Sequence, residues 1–224
     1  MNESTQLPAT ATPATKKGEE TRDRILAAAT DLIHQRGFKS TGVADILAAS
    51  GVPRGSFYFY FASKEELGCV LLARYRERQR EALEQAFPLD APVATTILAF
   101  FERSARAQAE GGCKSGCLLG NLAAEITDEN EDMRRELAGV LQDVQQAMAG
   151  AFGAGQERGE LSADFAPGAA ADFVLSVFEG SILLAKARRD PRALEASVTM
   201  LARYLETLSW RAGSQAPTGK EGPA

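Results

Sequence analysis

Residues 111–125, with the sequence GGCKSGCLLGNLAAE, hold four glycines and two cysteines within their first ten positions. Small residues let a ligand or a neighbouring helix approach the backbone closely. Cys117 lies at the predicted start of a helix, where the positive end of the helix dipole lowers the pKa of a thiol and favours the reactive thiolate. Lys114 is close by in the sequence, and Lys186, in the apolar run SILLAKA, is a second cation that could face inward. The pattern fits a reactive thiol, and it equally fits an inert buried cysteine.

The other cysteines and the single histidine limit the remaining chemistry. Cys113 lies four residues before Cys117 and could form a disulfide with it, but Gly116 between them leaves the geometry open. We expect Cys69 to be a core residue. Because His34 is the only histidine, neither a metal site nor a catalytic Ser-His-Asp set is expected, and the sequence has no motif for a cofactor.

A second segment, PRGSFYFYF at residues 53–61, has the residue types of a helix that contacts DNA bases. Arginine can donate two hydrogen bonds to a guanine edge, and glycine and serine let the end of a helix approach the groove closely. Tyrosine hydroxyls can bind phosphates or bases, and a lysine at the start of the next helix joins the backbone N–H groups in binding a phosphate. The predicted contacts are Arg54, Gly55, Ser56, Tyr58, Tyr60 and Lys64.

The apolar periodicity predicts an all-α fold with about nine helices. They are expected at residues 19–36, 43–49, 53–60, 64–87, 91–110, 116–127, 130–158, 166–187 and 191–211. The first three form a tri-helical helix-turn-helix, because a glycine-containing turn joins the second to the third. The predicted domains are a disordered arm at 1–17, a helix-turn-helix domain at 18–65, a larger helical domain at 66–211 and a disordered tail at 212–224.

Charge is distributed unevenly along the chain. The net charge is −5, which by itself disfavours nucleic acid, but residues 15–80 carry +4 and residues 81–224 carry −8. A basic end on an acidic body is typical of a protein that presents one end to phosphates. The sequence shows neither an apolar leader nor a run of 18 apolar residues, so we expect a cytoplasmic protein with reduced thiols and no membrane partner.

Apolar stripes on the last two predicted helices indicate self-association. Helix-turn-helix proteins usually bind paired half-sites roughly 34–36 Å apart, which requires a two-fold dimer. The stripes are the best candidates for its interface, although part of each must belong to the core of one chain. They comprise Ala169, Ala170, Phe173, Val174, Val177, Phe178, Ile182 and Leu183, and then Leu194, Val198, Leu201, Tyr204, Leu205 and Leu208.

Residues 20–67 resemble the DNA-binding domain of the TetR family of repressors throughout. The shared motifs are the G-F-x-x-T turn, the S-G-V hinge, the G-S-F-Y-x-Y-F recognition helix and the S-K-E-x-L exit. The resemblance implies a homodimeric repressor that binds a palindromic operator in double-stranded DNA and releases it on sensing a small molecule. By the family's pattern the DNA contacts would be Thr41, Arg54, Gly55, Ser56, Tyr58, Tyr60 and Lys64. An enzyme or a dimeric adaptor is a remote alternative, which these residues disfavour.

The rest of the chain resembles one branch of that family, the N-ethylmaleimide- and acrylate-responsive regulators. The shared segments are G-C-L-x-G-N-L-x-x-E from Gly116, G-E-L-S-A-D at Gly159–Asp164 and F-E-G-S-I-L-L-A-K at Phe178–Lys186. The residues that the resemblance implies in sensing an electrophile or oxidant are Cys117, Lys186 and Cys113. Pocket walls are expected from Phe100, Phe101, Asn121, Phe173 and Phe178. A reversible inducer without thiol chemistry stays open as the alternative.

The helix predicted at residues 64–87 is expected to transmit the signal. It begins at Lys64, a predicted DNA contact, and ends against the sensing core. A shift of its C-terminal half would therefore move the recognition helix.

Overall fold

The computed structural model describes residues 15–126 and 130–209, and within these ranges the chain forms nine α-helices. They are α1 (Lys16–Arg36), α2 (Val43–Ser50), α3 (Phe57–Tyr60), α4 (Lys64–Ala86), α5 (Val93–Glu110), α6 (Leu118–Ile126), α7 (Glu131–Glu157), α8 (Pro167–Arg188) and α9 (Arg192–Leu208). The same ranges contain one isolated β-bridge, between Leu161 and Ser209, and no strand. The predicted all-α fold is therefore confirmed.

Local capping explains why most predicted helix ends lie close to the observed ones. The Ser63 hydroxyl accepts a hydrogen bond from the Glu66 N–H at 3.0 Å where α4 begins. Asn130 caps α7 in the same way, through the Met133 N–H at 2.8 Å. Gly37 ends α1 with a φ of 87°, a backbone conformation that favours glycine.

The first helix begins earlier than the sequence pattern predicts. Thr15 accepts a hydrogen bond through its hydroxyl from the backbone N–H three residues later, at 3.2 Å, so α1 starts at Lys16. The predicted boundary of the arm at residue 17 is therefore wrong, because Lys16 and Lys17 are helical. The rest of the predicted arm, residues 1–14, and the predicted tail at 212–224 lie outside the described residues.

The recognition segment consists of two short elements instead of one helix. Pro53 has an extended backbone with a ψ of 143°, so it precedes the first turn. A 3-10 turn at Arg54–Ser56 then leads into α3. Phe57 and Phe61 are 0% and 1% exposed and their ring centroids lie 5.6 Å apart, so aromatic packing anchors the segment to the core.

The buried apolar residues form two clusters. The N-terminal cluster comprises buried residues of α1 to α4 together with Leu118, Leu119, Leu122 and Ile126 of α6 and Met133, Leu137 and Val140 of α7. The C-terminal cluster comprises buried residues of α5, the second half of α7, α8 and α9, with Leu83, Phe87, Cys113 and Leu161. The predicted domain boundary at residue 65 therefore divides the chain in sequence but not in packing, because α6 and α7 complete the core of the helix-turn-helix.

Helix α8 is apolar on its outer side as well as its inner side. Phe173, Leu183 and Leu184 are 47%, 66% and 45% exposed, and Met200 of α9 is 59% exposed. By length and composition alone, α8 is the one helix among the described residues that could cross a membrane. An exposed apolar face of this kind on two adjacent helices is typical of a surface that another protein chain covers.

The packing of α7 requires glycine at position 155. A Cβ atom there would lie 2.5 Å from Cγ2 of Val93 and 3.1 Å from Cδ1 of Leu161. We expect Gly155→Ala to lower the free energy of unfolding by about 1–3 kcal/mol, because the stiff valine side chain cannot move aside. Gly153, two residues earlier in α7, has nothing within 4 Å of its Cβ position, and Gly153→Ala should raise that free energy by about 0.5–1 kcal/mol. Urea unfolding at one protein concentration measures both changes, and effects of the same sign would contradict this packing.

Candidate functional site

The turn and helix at residues 54–60 present polar and aromatic side chains to solvent. Arg54 and Gly55 are exposed, and Tyr58 is 72% exposed. The Tyr58 ring makes an edge contact with the buried Phe57 ring, with 5.4 Å between centroids. Because Phe57 is fixed in the core, this contact holds Tyr58 outward. The other two predicted contacts in this segment, Ser56 and Tyr60, are half-buried.

Thr41 does not belong to the exposed face, and its prediction as a DNA contact is wrong for the side chain. Thr41 is 0% exposed, and its hydroxyl donates a hydrogen bond to the carbonyl oxygen of Gly37 at 2.7 Å. The hydroxyl therefore closes the turn between α1 and α2 from the inside.

The Lys64 ammonium is also engaged within the chain. It donates hydrogen bonds to the carbonyl oxygens of Phe38 at 3.0 Å and Thr41 at 3.2 Å, and it lies 4.4 Å from the centroid of the Phe38 ring. Lys64 thus ties the start of α4 to the turn between α1 and α2. Two of the three ammonium N–H groups are used in this way, and Lys64 is half-buried, so its phosphate contact stays a prediction.

Sequence reasoning missed Phe59, which is 65% exposed next to Tyr60, with 5.0 Å between the two ring centroids. The signal was available, because Phe57 and Phe61 are spaced for one buried face and position 59 falls on the opposite side of the helix. An exposed ring here suits apolar contact with a thymine methyl group.

A second site lies inside the larger domain, where a cavity of about 500 Å³ is lined by residues of α1 and of α4 to α8. Its walls are mainly apolar, with polar side chains from separate helices: His34 of α1, Tyr75 of α4, Gln108 of α5 and Glu179 of α8. Cys117 lines this cavity and also a second one of about 360 Å³. The thiol-bearing residue therefore lies in the wall that the two cavities share.

The ionisable group beside the Cys117 thiol is the Glu179 carboxylate, and both residues line the two cavities. Burial first, and then the negative charge of Glu179, raise the pKa of Cys117 from 9.0 to about 12, against a smaller lowering by the backbone N–H groups of Gly120 and Leu119. Burial also raises the pKa of Glu179. The predicted thiolate at a helix N-terminus is therefore wrong, because desolvation and the carboxylate outweigh the N–H groups.

Lys186 lies near Cys117, but its ammonium has a different partner. It donates a hydrogen bond to Oδ1 of Asn121 at 2.7 Å, and Asn121 donates to the carbonyl oxygen of Ser115 at 2.8 Å. The lysine stem packs on Gly116, where a Cβ atom would lie 2.9 Å from its Cδ. The structure thus brings Cys117, Lys186 and Asn121 into the wall of the 360 Å³ cavity, and the lysine is paired with the amide.

Cys113 is 1% exposed and packs in the C-terminal cluster, in a turn where its φ is 54°. Cys69, Cys113 and Cys117 are all free thiols, so a disulfide between the last two stays a prediction. The predicted core position of Cys69 is confirmed, since it is 6% exposed in the N-terminal cluster. Within residues 15–126 and 130–209, no three His, Cys, Asp or Glu side chains are grouped to hold a metal ion.

The predicted pocket phenylalanines have different positions. Phe100 and Phe178 line the 500 Å³ cavity, with ring centroids 5.2 Å apart. Phe101 is 2% exposed and packs edge-on against Phe178 at 4.9 Å, so it is a core residue behind that wall. The prediction for Phe173 is wrong, because its ring contacts Tyr204 at 4.6 Å on the outer face of α8 and α9.

Polar contacts at both ends of α6 connect the cavities to the helix-turn-helix. The Gly116 carbonyl oxygen, just before α6, lies 3.4 Å from Nε2 of His34 on α1 and accepts a hydrogen bond from Gln108 at 3.0 Å. At the other end, the Glu125 carboxylate accepts a hydrogen bond from the Lys39 N–H at 2.9 Å. His34 is half-buried at this junction.

An exposed helix-turn-helix face joined to a helical domain with a mainly apolar cavity defines a DNA-binding regulator with an effector domain. Residues 25–67 match the family of bacterial regulatory proteins, tetR family, and residues 94–201 match the tetracyclin repressor-like C-terminal domain. The chain belongs to the TetR family of transcriptional regulators, which bind DNA and are not enzymes.

Similar proteins align with most of the length of this chain. The transcriptional regulator AcuR of Cereibacter sphaeroides is 35% identical over 82% of this chain and 84% of its own length. The HTH-type transcriptional repressor NemR of Escherichia coli K12 is 31% identical over 84% of this chain and 95% of its own. The crystal structure of reduced E. coli NemR matches with a TM-score of 0.77 at 29% identity, over 87% of this chain and 99% of that one. The similarity to NemR supports the resemblance to the electrophile-responsive branch.

The raised pKa of Cys117 predicts how stability depends on pH. A thiol with a higher pKa in the folded chain stabilises the fold below the unfolded pKa, and this contribution is lost as the pH rises toward the folded value. For Cys117 this window runs from pH 9.0 to about 12. Between about pH 8 and pH 10.5, the free energy of unfolding of the wild type should fall by about 2 kcal/mol more than that of Cys117→Ser, whose hydroxyl does not titrate. Urea unfolding at both pH values measures the difference. Cys69 affects both proteins alike, and parallel losses would contradict the raised pKa.

Proposed function

We propose that this TetR-family regulator is a cytoplasmic homodimeric repressor that holds a palindromic operator and releases it when an electrophile or oxidant modifies Cys117. One observation carries the proposal. Cys117 packs against both hydrophobic clusters and lines the 500 Å³ cavity, in the loop that leads into α6. A group attached to its sulfur would enter the contact between the helix-turn-helix core and the larger domain.

For DNA binding, we propose that the segment 54–60 enters the major groove. Arg54 and Tyr58 project together from the exposed turn, Gly55 allows close approach, and Ser56 and Tyr60 lie at its margin. The net charge of +4 on residues 15–80 attracts the phosphate backbone. Thr41 and Lys64 support this face from inside, since both bind carbonyl oxygens of the turn between α1 and α2.

The dimer is proposed to form through α8 and α9. The exposed apolar residues of this face are Phe173, Leu183, Leu184 and Met200. A two-fold axis would pack the face of one protomer against the same face of its partner, which removes this apolar surface from water. Other residues of the two stripes, such as Val174, Ile182, Leu194 and Leu201, are buried within one chain and belong to its own core.

Modification of Cys117 would act through α6. The two residues after it, Leu118 and Leu119, are buried in the N-terminal cluster, and Gly116 before it contacts His34 of α1. Added bulk at the sulfur would displace the start of α6 and thereby the helices that carry the DNA face. The structure of the relative E. coli NemR is that of a reduced form, which supports a redox-dependent state in this proposal.

A reversible inducer without thiol chemistry is the second candidate. The 500 Å³ cavity has the size and the mainly apolar wall of a small-molecule site, and a bound ligand there would also contact Cys117 and Leu118. The position of Cys117 between both cavities favours the thiol mechanism.

Substitution of Cys117 separates the two candidates. After treatment with N-ethylmaleimide, wild-type protein should lose at least tenfold in operator affinity, because a coupling of about 1–3 kcal/mol changes affinity 5–150-fold. Cys117→Ser should keep its affinity, and Cys69→Ser is the matched control that should respond like the wild type. A mobility-shift assay with the palindrome measures the release. Equal release of wild type and Cys117→Ser would reject the thiol mechanism and leave the reversible inducer.

The DNA face is tested by Tyr58→Ala. This substitution should lower the affinity for the operator at least tenfold, since it removes a contact at the centre of the exposed segment worth about 1–3 kcal/mol. Leu89→Ala, at a residue that is 60% exposed outside the helix-turn-helix, is the control and should bind normally. Sedimentation of both variants as dimers would show that only the DNA contact has changed. Full sequence-selective affinity in Tyr58→Ala would contradict the assignment.

A further inference from the structure

The Glu179 carboxylate lies next to Cys117 because position 120, between them, is a glycine without a side chain. Glu179 projects from α8 toward α6 at Gly120, where a Cβ atom would lie 2.5 Å from its Oε2 and 3.7 Å from the Cβ of Cys117. Any side chain at position 120 would therefore displace the carboxylate from its place beside Cys117. Glycine at this position allows the close approach of Glu179 to α6.

A protonated thiol needs a proton acceptor before it can act as a nucleophile. With a pKa of about 12, only about one thiol in 10⁵ is ionised at pH 7, so direct attack by a preformed thiolate is rare. A general base within hydrogen-bond reach overcomes this, because the proton leaves as the new bond forms. Glu179 is the carboxylate placed beside this thiol, since its Oε2 and the Cβ of Cys117 both lie within 4 Å of one point at Gly120, and it lines both cavities that Cys117 lines.

We propose that Glu179 is the general base for covalent sensing, accepting the Cys117 proton as the sulfur adds to a neutral conjugated carbonyl compound. This inference rests on the proposed sensing function of Cys117. The sulfur forms a bond to the β-carbon of the electrophile, the electron pair of the C=C bond moves to give an enolate, and the thiol proton passes to the Glu179 carboxylate. The protonated carboxyl then returns the proton to the α-carbon, which restores the carboxylate and leaves a thioether. No oxidant or reductant is consumed.

The surroundings of the pair favour a neutral electrophile. The carboxylate repels anions at the sulfur, and the wall of the 500 Å³ cavity is mainly apolar, with Leu83, Val144 and Leu175 among its residues. The other ionisable side chains on this wall are Tyr75 of α4, His34 of α1 and the exposed Arg103 of α5. Glu125 of α6 and Lys186 of α8 line the smaller cavity. The Tyr75 hydroxyl accepts a hydrogen bond from Gln79, and the ammonium of Lys186 is bound to Asn121.

The rate of adduct formation tests this role. With full-length protein and N-ethylmaleimide near pH 7.5, mass spectrometry of the Cys117 peptide should show a second-order rate about 100-fold lower in Glu179→Gln than in the wild type. Asp172→Asn removes the same charge from an exposed position two turns earlier in α8 and should leave the rate unchanged. Glu179→Asp keeps a carboxylate and should restore part of the rate.

A faster adduct rate in Glu179→Gln than in the wild type would indicate a different role for Glu179. If Glu179 merely suppressed ionisation of the thiol, Glu179→Gln would lower the pKa of Cys117 and react faster than the wild type. A rate equal to or above that of the wild type would therefore overturn the proposal. The pH profile gives a second test: the wild-type rate should level off once Glu179 is ionised, whereas the Gln variant should gain about tenfold per pH unit toward the thiol pKa.

The test is independent of operator release. If Cys117→Ser still releases DNA on treatment, the sensing function fails, whereas the adduct rates continue to report on Glu179. Loss of operator binding by untreated Glu179→Gln would indicate a disturbed fold. The adduct rate of Glu179→Asp is then compared with that of the wild type instead. A rate for Glu179→Asp between those of the wild type and Glu179→Gln then supports the role, and a rate above the wild type overturns it.

Discussion

Helix α6 is short, yet the position of the helix-turn-helix depends on it. Four of its residues, Leu118, Leu119, Leu122 and Ile126, are buried in the N-terminal cluster, so the core beneath the DNA face is incomplete without this helix. Burying each such side chain contributes about 1.5–3 kcal/mol, which makes separation of α6 from α1 and α4 costly. Polar contacts fix its ends, through the Gly116 carbonyl at one end and the Glu125 carboxylate at the other. Movement of α6 must therefore either carry the helix-turn-helix along or expose apolar surface.

The turn between α1 and α2, residues 37–42, is held from two sides. Lys64 at the start of α4 binds its carbonyl oxygens, and Glu125 at the end of α6 binds the N–H of Lys39. The Glu125 carboxylate lies so close that a Cβ atom at Gly37 would overlap it. The sequence predicts α4 as the connection between the two ends of the molecule, and the structure adds α6 as a second. Both helices meet at one turn, so a change transmitted by either reaches the same point behind the recognition segment.

Features that depend on neighbouring residues in the sequence could be predicted, whereas features that depend on tertiary contacts could not. Capping by Ser63 and Asn130 depends on residues within three positions, so most helix ends could be predicted from the sequence. The burial of Thr41, by contrast, depends on how the turn packs under α4, and no local pattern shows this. The pKa of Cys117 was predicted in the wrong direction for the same reason. Its helix N-terminus is visible in the sequence, but burial of the thiol and the charge of Glu179, which lies 62 positions away, outweigh it.

A neutral thiol reconciles stability with reactivity at this position. A permanent thiolate between two apolar clusters would require a buried counter-ion, and unpaired buried charge costs several kcal/mol. Lys186 does not supply that charge, since its ammonium is bound to Asn121. Keeping the proton on the sulfur therefore preserves the resting contact between α6 and the clusters. An adduct changes this balance without any change in charge, because it adds bulk at the sulfur, next to the buried Leu118 and Leu119 at the start of α6. The adduct needs to favour a displaced α6 by only about 1–3 kcal/mol. A preference of that size lowers operator affinity 5–150-fold.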